Sequence, residues 1–158
     1  LEVSKGKFKD IDIREVIRKI ESAGIAVIGN YLFGLPGDNQ KTMQETLDLS
    51  LELCTLAWNG YPVMALPGSE LYKTALDSGV PLPDSYLGYS FLGYDTVPLP
   101  TEHLTPGQVL EFRDRAYMAY HSSDKFLAKV SERLGDTAVH NIKNMTKVRL
   151  RRRLLEVN

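Results

Sequence analysis

The sequence Ile25-Ala-Val-Ile-Gly-Asn-Tyr-Leu-Phe-Gly-Leu-Pro-Gly-Asp38 is an apolar run that ends in a Pro-Gly turn. A second run ends the same way, in Ala65-Leu-Pro-Gly68, and a helical pattern of apolar residues separates the two. Strands that are apolar throughout are typical of parallel sheets, which are covered on both faces. The pattern therefore predicts a β-α-β unit whose strands, residues 25–33 and 58–65, are adjacent and parallel.

The two turns also indicate where a ligand would bind. In open sheets and barrels alike, ligands lie just beyond the carboxyl ends of parallel strands. Each Pro-Gly turn here follows such an end and precedes a helical pattern. A single turn of this kind is not specific, because Pro-Gly also occurs in ordinary strand-to-helix connections. The order and spacing of the pair favour a binding site.

Apolar spacing and terminal caps predict the helices of the remaining chain. The second helix is predicted to begin with a capping box between Thr42 and Glu45, and the fourth with a box between Thr105 and Gln108. The helical patterns cover residues 9–23, 41–55, 70–77, 106–121, 123–134 and 136–156. The chain thus divides into an α/β part, residues 1–100, and an all-helical part, residues 101–158.

One long segment, residues 80–100, shows no period and contains four prolines among spaced aromatic residues. Loops of this length without secondary structure are uncommon and often functional. Two interpretations stay open, a surface crossing that covers part of the core and a lid that faces a substrate.

Charge and cysteine content limit the function classes. The net charge is −1, yet residues 141–158 contain six Lys or Arg residues. We interpret this basic end as a solvated helix whose cations meet the negative end of the helix dipole, with nucleic acid or anionic lipid as the alternative. Cys54 is the sole cysteine, so we expect a buried thiol in a reducing, cytoplasmic setting. No apolar run approaches the roughly 20 residues that span a bilayer.

Several motifs resemble one known family. They are the segment Gly29–Asp38, the segment Pro67–Tyr72, the tripeptide Asn144-Met-Thr146 and the tail Arg151-Arg-Arg-Leu-Leu155. On these residues the chain resembles radical S-adenosylmethionine enzymes with an N-terminal cobalamin-binding domain, and is similar to the anaerobic magnesium-protoporphyrin IX monomethyl ester cyclase family. The resemblance implies a partial (β/α)6 TIM-like barrel, of which residues 25–33 and 58–65 are the fifth and sixth strands, followed by a helical C-terminal region.

The resemblance also implies a set of cofactor-binding residues. Adenine of S-adenosylmethionine would pack against Phe33, Gly34, Leu35 and Pro36, and its polar edge would meet the backbone of the sixth strand at Ala65 and Leu66. The carboxylate of Asp38 either belongs to this site or caps the following helix. No catalytic residue and no metal ligand is assigned.

The family's cluster loop, Cys-x-x-x-Cys-x-x-Cys, does not occur in this sequence. A four-iron four-sulfur cluster needs several thiolates, so we expect neither cluster nor S-adenosylmethionine to be bound by this chain alone. The resemblance implies both cofactors in the parent enzyme and leaves open whether cobalamin takes part.

The expected function is therefore that of a C-terminal fragment of an iron-sulfur oxidoreductase, cyclase or methyltransferase, which acts with the N-terminal portion of the enzyme on a small-molecule substrate. The alternative is a stand-alone, non-catalytic binding or regulatory module. Nucleic-acid binding is the weakest hypothesis, because no aromatic residues interleave with the basic tail. We also expect a homo-oligomer, since a barrel that starts after its fourth strand would expose Val27, Tyr31 and Phe33 of the strand 25–33.

Overall fold

The computed structural model describes residues 10–156. This part of the chain is a helix-rich α/β fold around a small parallel sheet. Its elements are α1 (Ile13–Ser22), β1 (Ile28–Phe33), α2 (Gln40–Leu53), β2 (Ala57–Pro62), α3 (Glu70–Asp77), a 3₁₀ turn (Tyr86–Tyr89), α4 (Pro106–His121), α5 (Asp124–Leu134), α6 (Asp136–Met145) and α7 (Arg153–Glu156). Residue 9, where the predicted first helix begins, lies outside the described residues; residues 10–12 are not helical, and α1 begins at Ile13 with Asp12 as its N-cap, so the predicted start is wrong there.

The strands β1 and β2 are adjacent and parallel, which confirms the predicted pairing. The register runs from Ile28 opposite Ala57 to Phe33 opposite Pro62, and α2 connects the two strands. Both strands are shorter than predicted. Pro62 ends β2 because proline has no N–H for the ladder, although the N–H of Val63 still donates to the C=O of Phe33, at 2.8 Å.

Local caps set where the helices begin. At α4 the Thr105 hydroxyl accepts from the Gln108 N–H and the Gln108 side chain accepts from the Thr105 N–H, so the predicted capping box is confirmed. At α2 the predicted box is wrong. Asn39 is the N-cap there and pairs reciprocally with Thr42, which places the box three residues earlier than predicted.

The basic end of the chain differs most from its prediction. Instead of one helix over residues 136–156, α6 ends at Met145, a connecting segment follows, and α7 begins at Arg153. We call residues 146–152 the C-terminal strap. Arg152, at the end of the strap, is 1% exposed, so the prediction of a fully solvated basic helix is wrong at this residue.

The sheet has one covered and one open face. Phe33 and Trp58 lie on the covered face, where α2 and α4 pack against the strands. Ile28 and Leu32 lie on the other face and are 59% and 48% exposed. The expected exposure of Phe33 is therefore wrong, because the alternate set of β1 side chains faces away from the helices.

Two apolar clusters build the interior. The main cluster lies between the sheet, α2, α4 and α5 and centres on Phe33, Trp58, Phe112 and Tyr120. A second cluster, which we call the turn cluster, consists of Val63, Ala65, Ala75 and Leu99, with Leu35, Leu71, Tyr72, Val80 and Leu82 packed against it. Within residues 10–156, no helix is both long and apolar enough to cross a membrane.

Candidate functional site

The turn that follows β1 is closed by its own carboxylate. Asp38 Oδ2 accepts from the backbone N–H groups of Gly34 and Leu35, at 3.0 and 2.9 Å. Its other oxygen accepts from the Thr42 hydroxyl, at 2.7 Å. Asp38 thus fixes the turn and ties it to the first turn of α2, while Asn39 caps that helix. The N–H groups that could have cradled an anion already have an acceptor.

Gly34 is required here for packing. Its φ is +89°, a region that favours glycine. A Cβ at this position would lie 2.5 Å from Cγ1 of Val109 on α4. The turn therefore sits directly against α4, and this close approach explains the glycine without a ligand.

The residues that the sequence predicts for the adenine site lie in different surroundings. Phe33 is fully buried in the main cluster, with its ring centroid 5.5 Å from that of Phe112. Leu35 and Ala65 meet in the turn cluster. Pro36 is exposed and its C=O accepts from the Glu102 N–H. The structure thus brings the two turns together and leaves the Phe33 side chain on the core side.

The second turn supplies unpaired backbone groups. Within residues 10–156, neither the N–H nor the C=O of Ala65 makes a hydrogen bond, whereas Leu66 donates to Met64 and accepts from Ser69. Ala65 is 3% exposed and Leu66, next to it, is 54% exposed. Buried backbone polar groups are nearly always paired, so an unpaired peptide edge beside an apolar wall is suited to a flat ligand with a polar rim.

Two features of the described residues concern metal and thiol chemistry. In the described part of the chain, no group of three or more His, Cys, Asp or Glu residues could hold a metal ion. Cys54 lies at the end of α2, with φ +48°, and burial raises the pKa of its thiol. A buried thiol of raised pKa is a poor nucleophile and a poor ligand.

Sequence reasoning missed a buried ionic network beside β2. Arg113 is 4% exposed; its Nε donates to the C=O of Gly60, at 2.8 Å, and its Nη1 to Asp114, at 2.9 Å. Asp114 also binds Arg152. The run of three arginines was visible in the sequence, but nothing local distinguishes Arg152 from its exposed neighbours.

Comparison of the chain with protein-family models, with curated proteins and with solved structures finds no match. The geometry of the two turns and the motifs of the sequence are therefore the observations that bear on function.

Proposed function

We propose that the two turns form the adenine side of an S-adenosylmethionine site, and that this chain is the C-terminal part of a radical S-adenosylmethionine enzyme. The observation that carries the proposal is the unpaired peptide edge of Ala65 beside the apolar turn at Leu35. Both lie past the carboxyl ends of adjacent parallel strands, where ligands bind in such folds.

Adenine matches these groups chemically. Its ring is flat and apolar and would pack against Leu35 and the exposed side chain of Leu66. Its amino group and ring nitrogen present one donor and one acceptor, which the C=O and N–H of Ala65 would satisfy. Asp38 acts indirectly, since it holds the Leu35 turn in place.

The iron-sulfur cluster does not fit the residues of this chain, because Cys54 is its sole cysteine. We assign no step of the reaction to these residues. The proposal places the cluster loop, and the groups that bind the methionyl end of the cofactor, on an N-terminal portion of the enzyme. The finer fold assignment follows from this, with β1 and β2 as the fifth and sixth strands of a partial TIM-like barrel.

The open face of the sheet supports this assignment. Ile28 and Leu32 are exposed there beside a polar pair in which Asn59 donates to Asn30, at 3.0 Å. A barrel interior that meets further strands and a polar substrate would contain such a face.

In isolation the chain would bury these exposed residues by self-association. We therefore expect light scattering to give a mass above 17.7 kDa, and we expect Leu32→Ser to shift that mass toward the value of the monomer.

Ligand binding tests the adenine site directly. Saturation-transfer NMR on this chain should show transfer to the base protons of adenosine and none to those of guanosine, because guanine reverses the donor and acceptor at that edge. Leu66→Asp should abolish the transfer. Leu76→Asp is the matched control, since Leu76 is 55% exposed on α3 and Leu66 is 54% exposed. Equal signals from both nucleosides, or no effect of Leu66→Asp, would refute the adenine site.

Anaerobic reconstitution tests whether the cluster-binding part of the enzyme lies outside this chain. With iron, sulfide, reductant and S-adenosylmethionine, this chain should give no 5′-deoxyadenosine above a control without protein. A parent protein with an upstream Cys-x-x-x-Cys-x-x-Cys in the same reading frame should produce it. Product from the present chain, or an inactive parent that carries the loop, would contradict the proposed enzyme class.

A further inference from the structure

A large cavity lies between α4 and the C-terminal strap, on the side of the first half of β2. Its volume is about 1010 Å³, at the upper end of the range for small-molecule sites. Trp58, near the amino end of β2, contributes to its wall. The proposed adenine site follows the carboxyl end of the same strand, so the two sites are distinct.

Most of the cavity wall is apolar. The residues that supply this surface come from α4, from the loop before it and from the strap, and they include Phe91, Tyr117, Met118, Val148 and Leu150. Val148 and Leu150 are 66% and 42% exposed. A wall of this kind favours a ligand with an apolar body.

Two hydrogen-bond donors of the wall lack an acceptor. Trp58 is 5% exposed, and its Nε1 is the buried side-chain nitrogen or oxygen without a partner within residues 10–156. Arg113 is held in place through Nε and Nη1, whereas its Nη2 makes no hydrogen bond in the same part of the chain. The Trp58 Nε1 is fully buried, whereas the Nη2 of Arg113 is not among the buried unpaired atoms, so the acceptor of a ligand is expected at the Arg113 guanidinium.

The charged side chains of the cavity wall include one more cation than anions. Asp114 is already shared between Arg113 and Arg152. Three further charged residues of the wall, Glu111, Arg115 and Arg149, make no ion pair with residues 10–156. The unpaired groups thus carry two positive charges against one negative charge, which favours an anionic ligand.

We propose that this cavity binds an amphipathic organic anion, with an apolar aromatic or aliphatic body against the strap and one carboxylate or sulfonate group near Arg113 and Arg149. The fixed Arg113 guanidinium supplies a charge-assisted hydrogen bond. The apolar body covers the exposed Val148 and Leu150 side chains.

Trp58 makes the test direct, because it is the sole tryptophan of the chain. The probe is 8-anilinonaphthalene-1-sulfonate, and its neutral counterpart is N-phenyl-1-naphthylamine, which has the same ring system without the sulfonate. Titration of the folded chain with the sulfonate should saturate at one site and quench Trp58 emission by energy transfer. The neutral compound should bind more weakly.

Two variants on the strap separate the apolar and ionic contributions. Val148→Asp should weaken both compounds, since it places a carboxylate in the apolar wall. Arg149→Gln should weaken the sulfonate about twofold to fivefold, the range expected for an exposed ion pair, and leave the neutral compound unchanged. Leu32→Ser, on the open face of the sheet, is the control and should change neither affinity.

Three results would overturn the proposal. One is the absence of saturable quenching, and a second is binding that Leu32→Ser abolishes while both strap variants retain it. The third is equal affinity for the two compounds, which would show that the negative charge of the ligand does not contribute to binding. Circular dichroism of each variant establishes that it is folded before the titration is interpreted.

Discussion

Arg152 and Asp114 form a two-pronged ion pair in which Nε and Nη2 of the arginine each lie 2.8 Å from a different carboxylate oxygen. The remaining donors of Arg152 bind the C=O groups of Phe91 and Gly93 and the hydroxyl of Thr96. One side chain near the end of the chain therefore connects the strap, α4 and the long loop before α4. Every one of these partners is more than thirty residues away in the sequence.

The first prediction concerns this pair. Asp114→Asn leaves the buried Arg152 charge without its counter-ion and should lower the free energy of unfolding by about 3 kcal/mol, the lower end of the range for a broken buried pair. We choose the lower end because the Asp114 side chain is 24% exposed. Urea unfolding measures the loss. Glu45→Gln breaks the exposed pair with Lys41 and should leave the midpoint nearly unchanged; similar losses in both variants would contradict the assignment.

The second prediction concerns Gly34. Gly34→Ala forces a side chain into the left-handed region and against Val109, and should destabilise the fold by at least about 1–3 kcal/mol. Gly37→Ala in the same turn is the matched control, because a Cβ there meets nothing within 4 Å. Thermal unfolding of the two variants should separate them clearly. Equal melting temperatures would mean that the turn does not pack on α4 as described.

The third prediction concerns Asp38. Asp38→Ala removes the acceptor of two backbone N–H groups, those of Gly34 and Leu35, and should cost about 1–3 kcal/mol. Asp84→Ala, at an exposed loop position, serves as the control. Amide hydrogen exchange provides a second measurement, because the two N–H groups should exchange faster in Asp38→Ala. Unchanged exchange at both amides would show that another group closes the turn.

The fourth prediction concerns pH. His121 is buried, and its Nδ1–H donates to the C=O of Tyr117, at 2.9 Å. Burial lowers the pKa of His121 below its ordinary value of 6.5; the hydrogen bond to Tyr117 opposes this effect, and the charge of Arg113 adds to it. The unfolded chain then binds more protons than the folded one as pH falls through 6.5, so the free energy of unfolding decreases on acidification from pH 7 toward pH 5.5.

Substitution of His121 tests whether this residue causes the pH dependence of the unfolding free energy. His121→Gln should flatten the dependence of the unfolding free energy on pH in this window, whereas His140→Gln, at an exposed position of α6, should retain it. Urea titrations at half-unit intervals between pH 5.5 and 7.5 give the slopes. An unchanged slope in His121→Gln would assign the dependence to other groups.

Local features of the sequence determined most of the secondary structure. Apolar runs predicted β1 and β2 and their parallel pairing, and the capping box at Thr105 predicted the start of α4. Such patterns suffice because a cap or a strand depends on residues within a few positions of one another. The predicted box at Thr42 was wrong because Asn39, three residues earlier, offers a competing cap. The Asn39 side chain accepts from two backbone N–H groups, those of Lys41 and Thr42.

Within the candidate site, the sequence predicted the two turns, and the structure brings Leu35 and Ala65 together. The sequence could not predict that the Asp38 carboxylate would accept hydrogen bonds from the N–H groups of the first turn, because several local partners were possible for that carboxylate. It also could not assign the buried face of β1. Alternation separates two sets of side chains, but only the packing of α4 decides that Phe33 turns inward while Ile28 and Leu32 turn outward.

The roles of Arg152, Arg113 and Trp58 depend on how elements that are distant in the sequence pack together. A basic tail has the same local pattern whether it is solvated or buried, and the burial of Arg152 depends on Asp114, which lies 38 positions earlier. The burial of the Trp58 Nε1 likewise depends on the packing of Tyr117 and Tyr120 of α4 against β2. Local sequence patterns were sufficient to predict the parallel β-α-β unit, the two turns and most helix starts, because these depend on contacts between near neighbours. Long-range ion pairs and cavities depend on how completed elements pack, and no local pattern encodes that.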